Sequence, residues 1–115
     1  MRTLELDAIK EGWTEPLDLQ LYEQAGSLSS QTVLDGTGFT LSDCRLVGND
    51  EQVVDTAGKF AWLSQAAGTV RYSPASSDFQ ADKSPYRISF EVTDGNGKTR
   101  WHPDSVDALI RVYRV

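Results

Sequence analysis

Gly68–Pro103 reads GTVRYSPASSDFQADKSPYRISFEVTDGNGKTRWHP, and the rest of the chain is best understood outward from it. Tyr86, Ile88, Phe90 and Val92 alternate with Arg87, Ser89, Glu91 and Thr93. A period of two is the mark of a strand with one face in the core and one in water. Asp94, Gly95, Asn96 and Gly97 follow, residue types that tolerate a tight hairpin turn, so Lys98 to His102 is expected to return as the partner strand.

The same stretch contains Asp82-Lys83-Ser84-Pro85-Tyr86. An Asp-x-small-x-Tyr spacing at a strand start is used in immunoglobulin-like sandwiches, where the Tyr hydroxyl ties the strand back to upstream backbone. We expect such a tyrosine corner here, built from Asp82 and Tyr86, with its bond near Asp82. Two residues on, where an antibody domain carries its second cysteine, stands Ile88. The chain has one cysteine, Cys44, so no internal disulfide can form, and synthesis in a reducing compartment is expected.

Other segments repeat the pattern. Leu4, Leu6 and Ala8 alternate with acidic residues, as do Leu17, Leu19 and Leu21 with Asp18 and Gln20. Phe39 and Leu41 share one parity while Cys44 and Leu46 share the other, which predicts a bulge near Ser42-Asp43. Val53-Val54, Phe60 with Trp62, and Val70 with Tyr72 suggest further short strands. Ala108, Ile110 and Val112 close the chain against Leu109, Arg111 and Tyr113. Ala25 to Gly38 is too polar for a buried strand and too rich in Gly for a helix. Short helical turns are expected only at Ala75 to Phe79 and Asp104 to Leu109, leaving less than about a tenth of the chain helical. The prediction is one domain over residues 1–115, an all-β, immunoglobulin-like antiparallel β-sandwich of seven to eight strands.

Composition bounds the function. A chain of 115 residues with 39% hydrophobic residues can bury roughly two-thirds of its unfolded surface. The net charge of −6 disfavours nucleic-acid binding, which needs clustered Lys and Arg. Without an apolar run of about 18 residues no membrane helix is encoded, and MRTLELDAIKEG is not expected to act as a secretory signal.

Candidate chemistry is sparse. His102 lies near Asp104, Ser105 and Asp107, but no strand–turn–helix elbow presents a nucleophile, so a catalytic triad is not expected. Asp94 and Asn96 offer calcium-type oxygens, yet Lys98 to His102 supplies no closing carboxylate, and we read the segment as a turn. With one Cys and one His, a structural zinc site is excluded. We therefore expect no enzyme, no metal and no cofactor. Asp50-Glu51 and Asp104 with Asp107 read as solvated loop charges, Cys44 as a small buried hydrophobe, and Trp62 as core. Trp13 and Trp101, at strand ends, with Leu109 and Tyr113 on the closing strand, form the candidate interface, since Trp and Tyr are enriched at protein contacts.

The order of short motifs is a further pointer. Ile9-Lys10-Glu11-Gly12-Trp13-Thr14-Glu15-Pro16-Leu17 is a charged turn leading to a Pro-Leu strand. Leu34-Asp35-Gly36-Thr37-Gly38-Phe39-Thr40-Leu41 feeds another. Then come Gly68, Val70 and Tyr72, Asp78 before a short loop, the Tyr86 strand ending in Asp94-Gly95-Asn96-Gly97-Lys98, and Pro103. This order, from Ile9 to Pro103, resembles the N-terminal immunoglobulin-like domain of phage baseplate upper proteins and related small tail proteins. Those baseplate proteins continue into a long fibre-forming segment with no counterpart in these 115 residues. The resemblance implies a structural component of a phage or prophage virion (tail, baseplate, neck or head surface), made in the host bacterial cytoplasm. It would dock onto other virion proteins or copies of itself as a homo-oligomer, without nucleic acid or membrane. The competing expectation is a module that binds a host-surface glycan or receptor through Trp13 and Trp101.

Overall fold

The computed structural model describes residues 2–5, 8–23, 32–102 and 106–114. The strands there are β1 (Arg2–Glu5), β2 (Ile9–Lys10), β3 (Leu17–Gln20), β4 (Tyr22–Glu23), β5 (Thr32–Val33) and β6 (Thr40–Val47). They continue with β7 (Phe60–Ser64), β8 (Thr69–Tyr72), β9 (Tyr86–Thr93), β10 (Thr99–His102), β11 (Val106–Ile110) and β12 (Val112–Tyr113). Twelve strands are thus found among the described residues, several of them only two residues long.

The longest alternating run becomes the centre of the larger sheet. Along β9 the even-numbered residues Tyr86 to Val92 are buried and the odd-numbered ones face outward. β6 pairs antiparallel with β9 over residues 87–93, while β10 and β11 pair with residues 90–93 and 86–88. A strand has two edges, so β10 and β11 share the edge that β6 does not use. β1 then joins β11, and β2 joins β12, both in parallel. The second sheet has the order β3-β8-β7 and is antiparallel throughout. This is the immunoglobulin-like division, with the first strand attached to the last rather than to the second sheet.

Between the sheets lie Leu19, Val70 and Tyr72 from one side and Cys44, Leu46, Ile88, Phe90, Ala108 and Ile110 from the other. Burial of this apolar set is the main driving force for folding. The parity change in β6 is accommodated by a register shift between Leu41 and Asp43. There the Asp43 Oδ1 accepts a bond from the Cys44 N–H at 2.8 Å.

Three expectations are corrected. Asp104 to Leu109 is not a helical turn: Val106–Ile110 is a strand, because pairing with β1 and β9 outweighs local propensity, while Asp104 lies outside the described residues. Residues 75–79 form a hydrogen-bonded turn, with the Asp78 N–H donating to the Ala75 carbonyl at 3.0 Å, and the helical turn is a 3-10 turn at Ala81–Lys83. Val53 makes a single bridge to Val47 rather than a strand and is 69% exposed. Ala25 to Gly38 is described only from Thr32 onward, where β5 pairs with β4.

The tyrosine corner is displaced from the expected position. The Tyr86 hydroxyl accepts a bond from the Gln80 N–H at 2.9 Å, six residues upstream. Asp82 is exposed within the 3-10 turn and takes no part in that bond. The turn places Gln80, not Asp82, over the start of β9.

Two substitutions probe these contacts. Tyr86→Phe removes the bond to Gln80 and should destabilise the protein by about 1 kcal/mol, the usual net value of one hydrogen bond, in urea unfolding. Gly68 holds φ at +69°, and a Cβ there would collide with the Leu34 carbonyl. Gly68→Ala should therefore lose at least about 2 kcal/mol by left-handed strain and overpacking, whereas Gly95→Ala, with nothing within 4 Å, should leave the midpoint nearly unchanged.

Candidate functional site

The outer face of the larger sheet gathers most of the candidate interface. Trp101 stands opposite Glu91, and Leu109 opposite Arg87, on the edge of β9 away from β6. The odd parity on β9 sends both outward, and each is half-buried. From β6, Arg45 reaches across the small Ser89 and sets its guanidinium 5.3 Å from the centre of the Trp101 ring. Such a cation–π contact at an exposed site contributes on the order of 0.5–1 kcal/mol. Further along the closing strand, Val112 points into the core while Tyr113 is 50% exposed. Trp101, Leu109 and Tyr113 thus lie on the successive strands β10, β11 and β12, each half-buried or exposed.

Trp13 does not join them. It sits in the turn after β2, where the Gly12 N–H donates to the Phe79 carbonyl at 3.1 Å, and it is half-buried against the core. That places its backbone near the Tyr86 end of β9, while Trp101 lies opposite Glu91, five residues on, or roughly 17 Å at strand rise. The two indoles cannot stack on one sugar ring.

Within the closing strand, β11 is an inner strand between β1 and β9, whereas β12 pairs with β2. At its end the Val112 N–H donates to the Ser84 Oγ at 2.9 Å. The apolar residues on both faces of β11 reflect its inner position.

The sequence-identified chemical groups are separated or engaged. His102 is a strand residue paired with Phe90, and Ser105 and Asp104 lie outside the described residues. Asp94 Oδ1 accepts bonds from the N–H groups of Asn96 and Lys98 at 2.9 and 3.0 Å, so the supposed calcium oxygen closes the turn. Asp50 and Glu51 face separate cations, Lys83 at 3.8 Å and Arg87 at 2.7 Å. Cys44 is buried, and burial, aided by the charge of Asp43, pushes its thiol up to about 12, which removes thiolate reactivity. Among the described residues, no three His, Cys, Asp or Glu side chains come together as a metal site.

One polar cluster was not anticipated. Asp78 is buried at the corner between the sheets and accepts the Tyr72 hydroxyl at 2.6 Å, the Ala75 N–H at 3.0 Å and Lys59 Nζ at 3.0 Å. Lys59 lies 19 positions away in sequence, so spacing gave no signal for it. Burial alone would raise the Asp78 carboxyl, but the Tyr72, Ala75 and Lys59 bonds together hold it below the ordinary 3.8. The same environment raises the Tyr72 phenol, chiefly by burial and then by Asp78. The Asp78 carboxylate and the Tyr72 hydroxyl are buried and bonded to each other, and Lys59 closes the cluster from its partly exposed side, which makes it a structural lock.

No protein-family model matches the sequence, and no curated protein matches it. Among solved structures the chain is similar to the N-terminal four Ig domains of Dscam1 isoform 4.44, at 9% identity and a TM-score of 0.43. The match covers all of this chain and 27% of that one, so the chain spans little more than a quarter of its length.

The Asp78 lock has a pH signature. Its carboxyl is held below 3.8 in the folded protein and returns to that value on unfolding. Its contribution is thus full above the unfolded value and disappears as pH falls through the folded one. Asp78→Asn should destabilise the protein by about 1–3 kcal/mol at neutral pH, and the gap to the unsubstituted protein should narrow below about pH 4. Urea titrations from pH 7 to 2.5 would show it, and a constant gap would refute the assignment.

Proposed function

We propose that this chain is a non-enzymatic structural and assembly component of a phage or prophage virion, acting by protein–protein docking. The observation that carries the docking part is the accessible set Trp101, Leu109 and Tyr113 on β10, β11 and β12, with Arg45 stacked on the indole. Trp, Tyr and Arg are the residues most enriched among those that dominate binding energy at interfaces. Leu109 is carried by β11, an inner strand between β1 and β9, and Trp101 by β10, which pairs with β9, so the sheet ladder positions both side chains. The virion setting is supported by the order of turn motifs from Ile9 to Pro103. Its partners would be other virion proteins, copies of itself included, with no cofactor, nucleic acid or membrane.

The alternative, a glycan- or receptor-binding module, has less support. Its two indoles lie at different places, and Arg45 covers one face of the Trp101 ring, the face a pyranose would need.

Particle incorporation tests the proposal. Tyr113→Asp places a charge at a half-exposed site without touching the core, so its unfolding midpoint should stay within about 0.5 kcal/mol of the original. Its abundance in purified particles should fall several-fold. Absence of the unsubstituted protein from particles, with its fold intact, would overturn the virion assignment.

A further inference from the structure

The outer face of the larger sheet carries a block of four side chains whose arrangement is its own complement. Trp101 neighbours Glu91 and Leu109 neighbours Arg87 across the same edge of β9. The apolar pair therefore forms one column and the charged pair the column beside it. Arg87 and Glu91 are four residues apart, roughly 13 Å at strand rise, with Ser89 midway between them. Consider a twofold axis in the plane of this face, perpendicular to the strands and passing over Ser89. It turns each column end for end. Arg87 of one copy then faces Glu91 of the other, and Leu109 faces Trp101, with each contact made twice.

We infer that this face pairs with a second copy of the chain in that antiparallel, face-to-face arrangement. The inference rests on the docking function proposed above and names the partner. Charge order selects both occupant and orientation. An axis parallel to the strands would set Arg87 against Arg87 and Glu91 against Glu91 if it passed over β9, or each charge against the apolar residue beside it if it passed between the columns, and both outcomes are disfavoured. The end-for-end arrangement alone satisfies both columns, as an isologous interface requires. Ser89, the smallest side chain of the three outward residues, lies at the axis and lets the two faces approach. Arg45, in the row of Ser89, would otherwise meet its symmetry mate, but its guanidinium is drawn off the axis onto Trp101. Arg87 already holds Glu51 through one amino group at 2.7 Å. That pair is exposed and contributes little, and the guanidinium has five donors, so a second carboxylate can be accepted. A contact of this size lies at the small end of specific interfaces, so a weak dimer is expected, with dissociation in the micromolar to millimolar range.

Sedimentation equilibrium of the full chain, up to about 1 mM, tests this by charge exchange. Arg87→Glu and Glu91→Arg should each weaken self-association at least about tenfold. An equimolar mixture of the two variants should associate as tightly as the original protein, because every facing pair is then opposite in sign. The double variant Arg87→Glu/Glu91→Arg should likewise regain self-association. Both residues lie on the outer face, and circular dichroism of each variant confirms that folding is retained. A monomer at all concentrations, or a mixture and double variant as weak as the single changes, would overturn the dimer. The docking function is scored separately by particle incorporation. A monomeric protein that still needs Tyr113 to enter particles would sink the self-pairing alone.

Discussion

The corner between β8 and β9 is the constraint on which the rest of the sandwich depends. Immunoglobulin domains commonly bolt their two sheets together with a disulfide, and this chain has a single cysteine. In its place three aromatic rings meet edge to face in series: Tyr72 on Phe79 at 6.2 Å, and Phe79 on Tyr86 at 5.1 Å. Tyr72 belongs to one sheet and Tyr86 to the other, with Phe79 from the connecting loop between them. Edge-to-face pairs add on the order of 0.5–1.5 kcal/mol each beyond area burial. Their hydroxyls are both used, one on Asp78 and one on Gln80. Covalent strength is replaced by burial and satisfied polar groups, and the lock works in a reducing environment.

That corner sets the start of β9, and β9 sets everything on the larger sheet. Once Tyr86 is fixed inward, the period of two sends Arg87, Ser89 and Glu91 outward. The two pairing partners on its free edge are then forced to show Trp101 and Leu109 on the same face. The N-terminal strand completes the arrangement by adding to the closing strand in parallel. Glu11 ties these ends to the corner, accepting the Ala81 N–H at 2.9 Å and lying 3.6 Å from Arg114. The proposed docking face is therefore a consequence of the packing lock on the opposite side of the strand.

Where local periodicity carried the information, the sequence was readable. The β9 alternation, its hairpin turn and the bulge at Leu41/Asp43 each follow from side-chain parity and turn chemistry within a few residues. What escaped depends on distant pairing. Ala108 and Ile110 show the strand alternation, but Val106 and Asp107 fall within an expected helical turn, because their neighbours in β1 are far away in sequence. Likewise the pairing of β11 with β1 on one side and β9 on the other has no local signal. Asp82 satisfied the expected spacing to Tyr86, yet the 3-10 turn brought Gln80 to the hydroxyl instead. Trp13 reads as an interface residue from its place at a strand end, but the turn that holds it folds back onto Phe79. For the candidate site, Trp101, Leu109 and Tyr113 were legible, whereas their charged neighbours Arg45, Arg87 and Glu91 were not. Their role arises only when β6 and β10 flank β9.

The groups with shifted protonation and the exposed charges occupy different parts of the molecule. Cys44, Tyr72 and Asp78 are buried, and burial raises the Cys44 thiol and the Tyr72 phenol. The exposed charged groups on the outer face are ordered along strands, with alternating sign and an aromatic column beside them. Such ordering has no use in dissolving a protein, for which scattered charge suffices. Its physical consequence is directional: an approaching surface gains if its own charges run in the opposite order, and is repelled if they do not. A rigid strand pair that reads the polarity of what lies against it is suited to assembly in a fixed orientation.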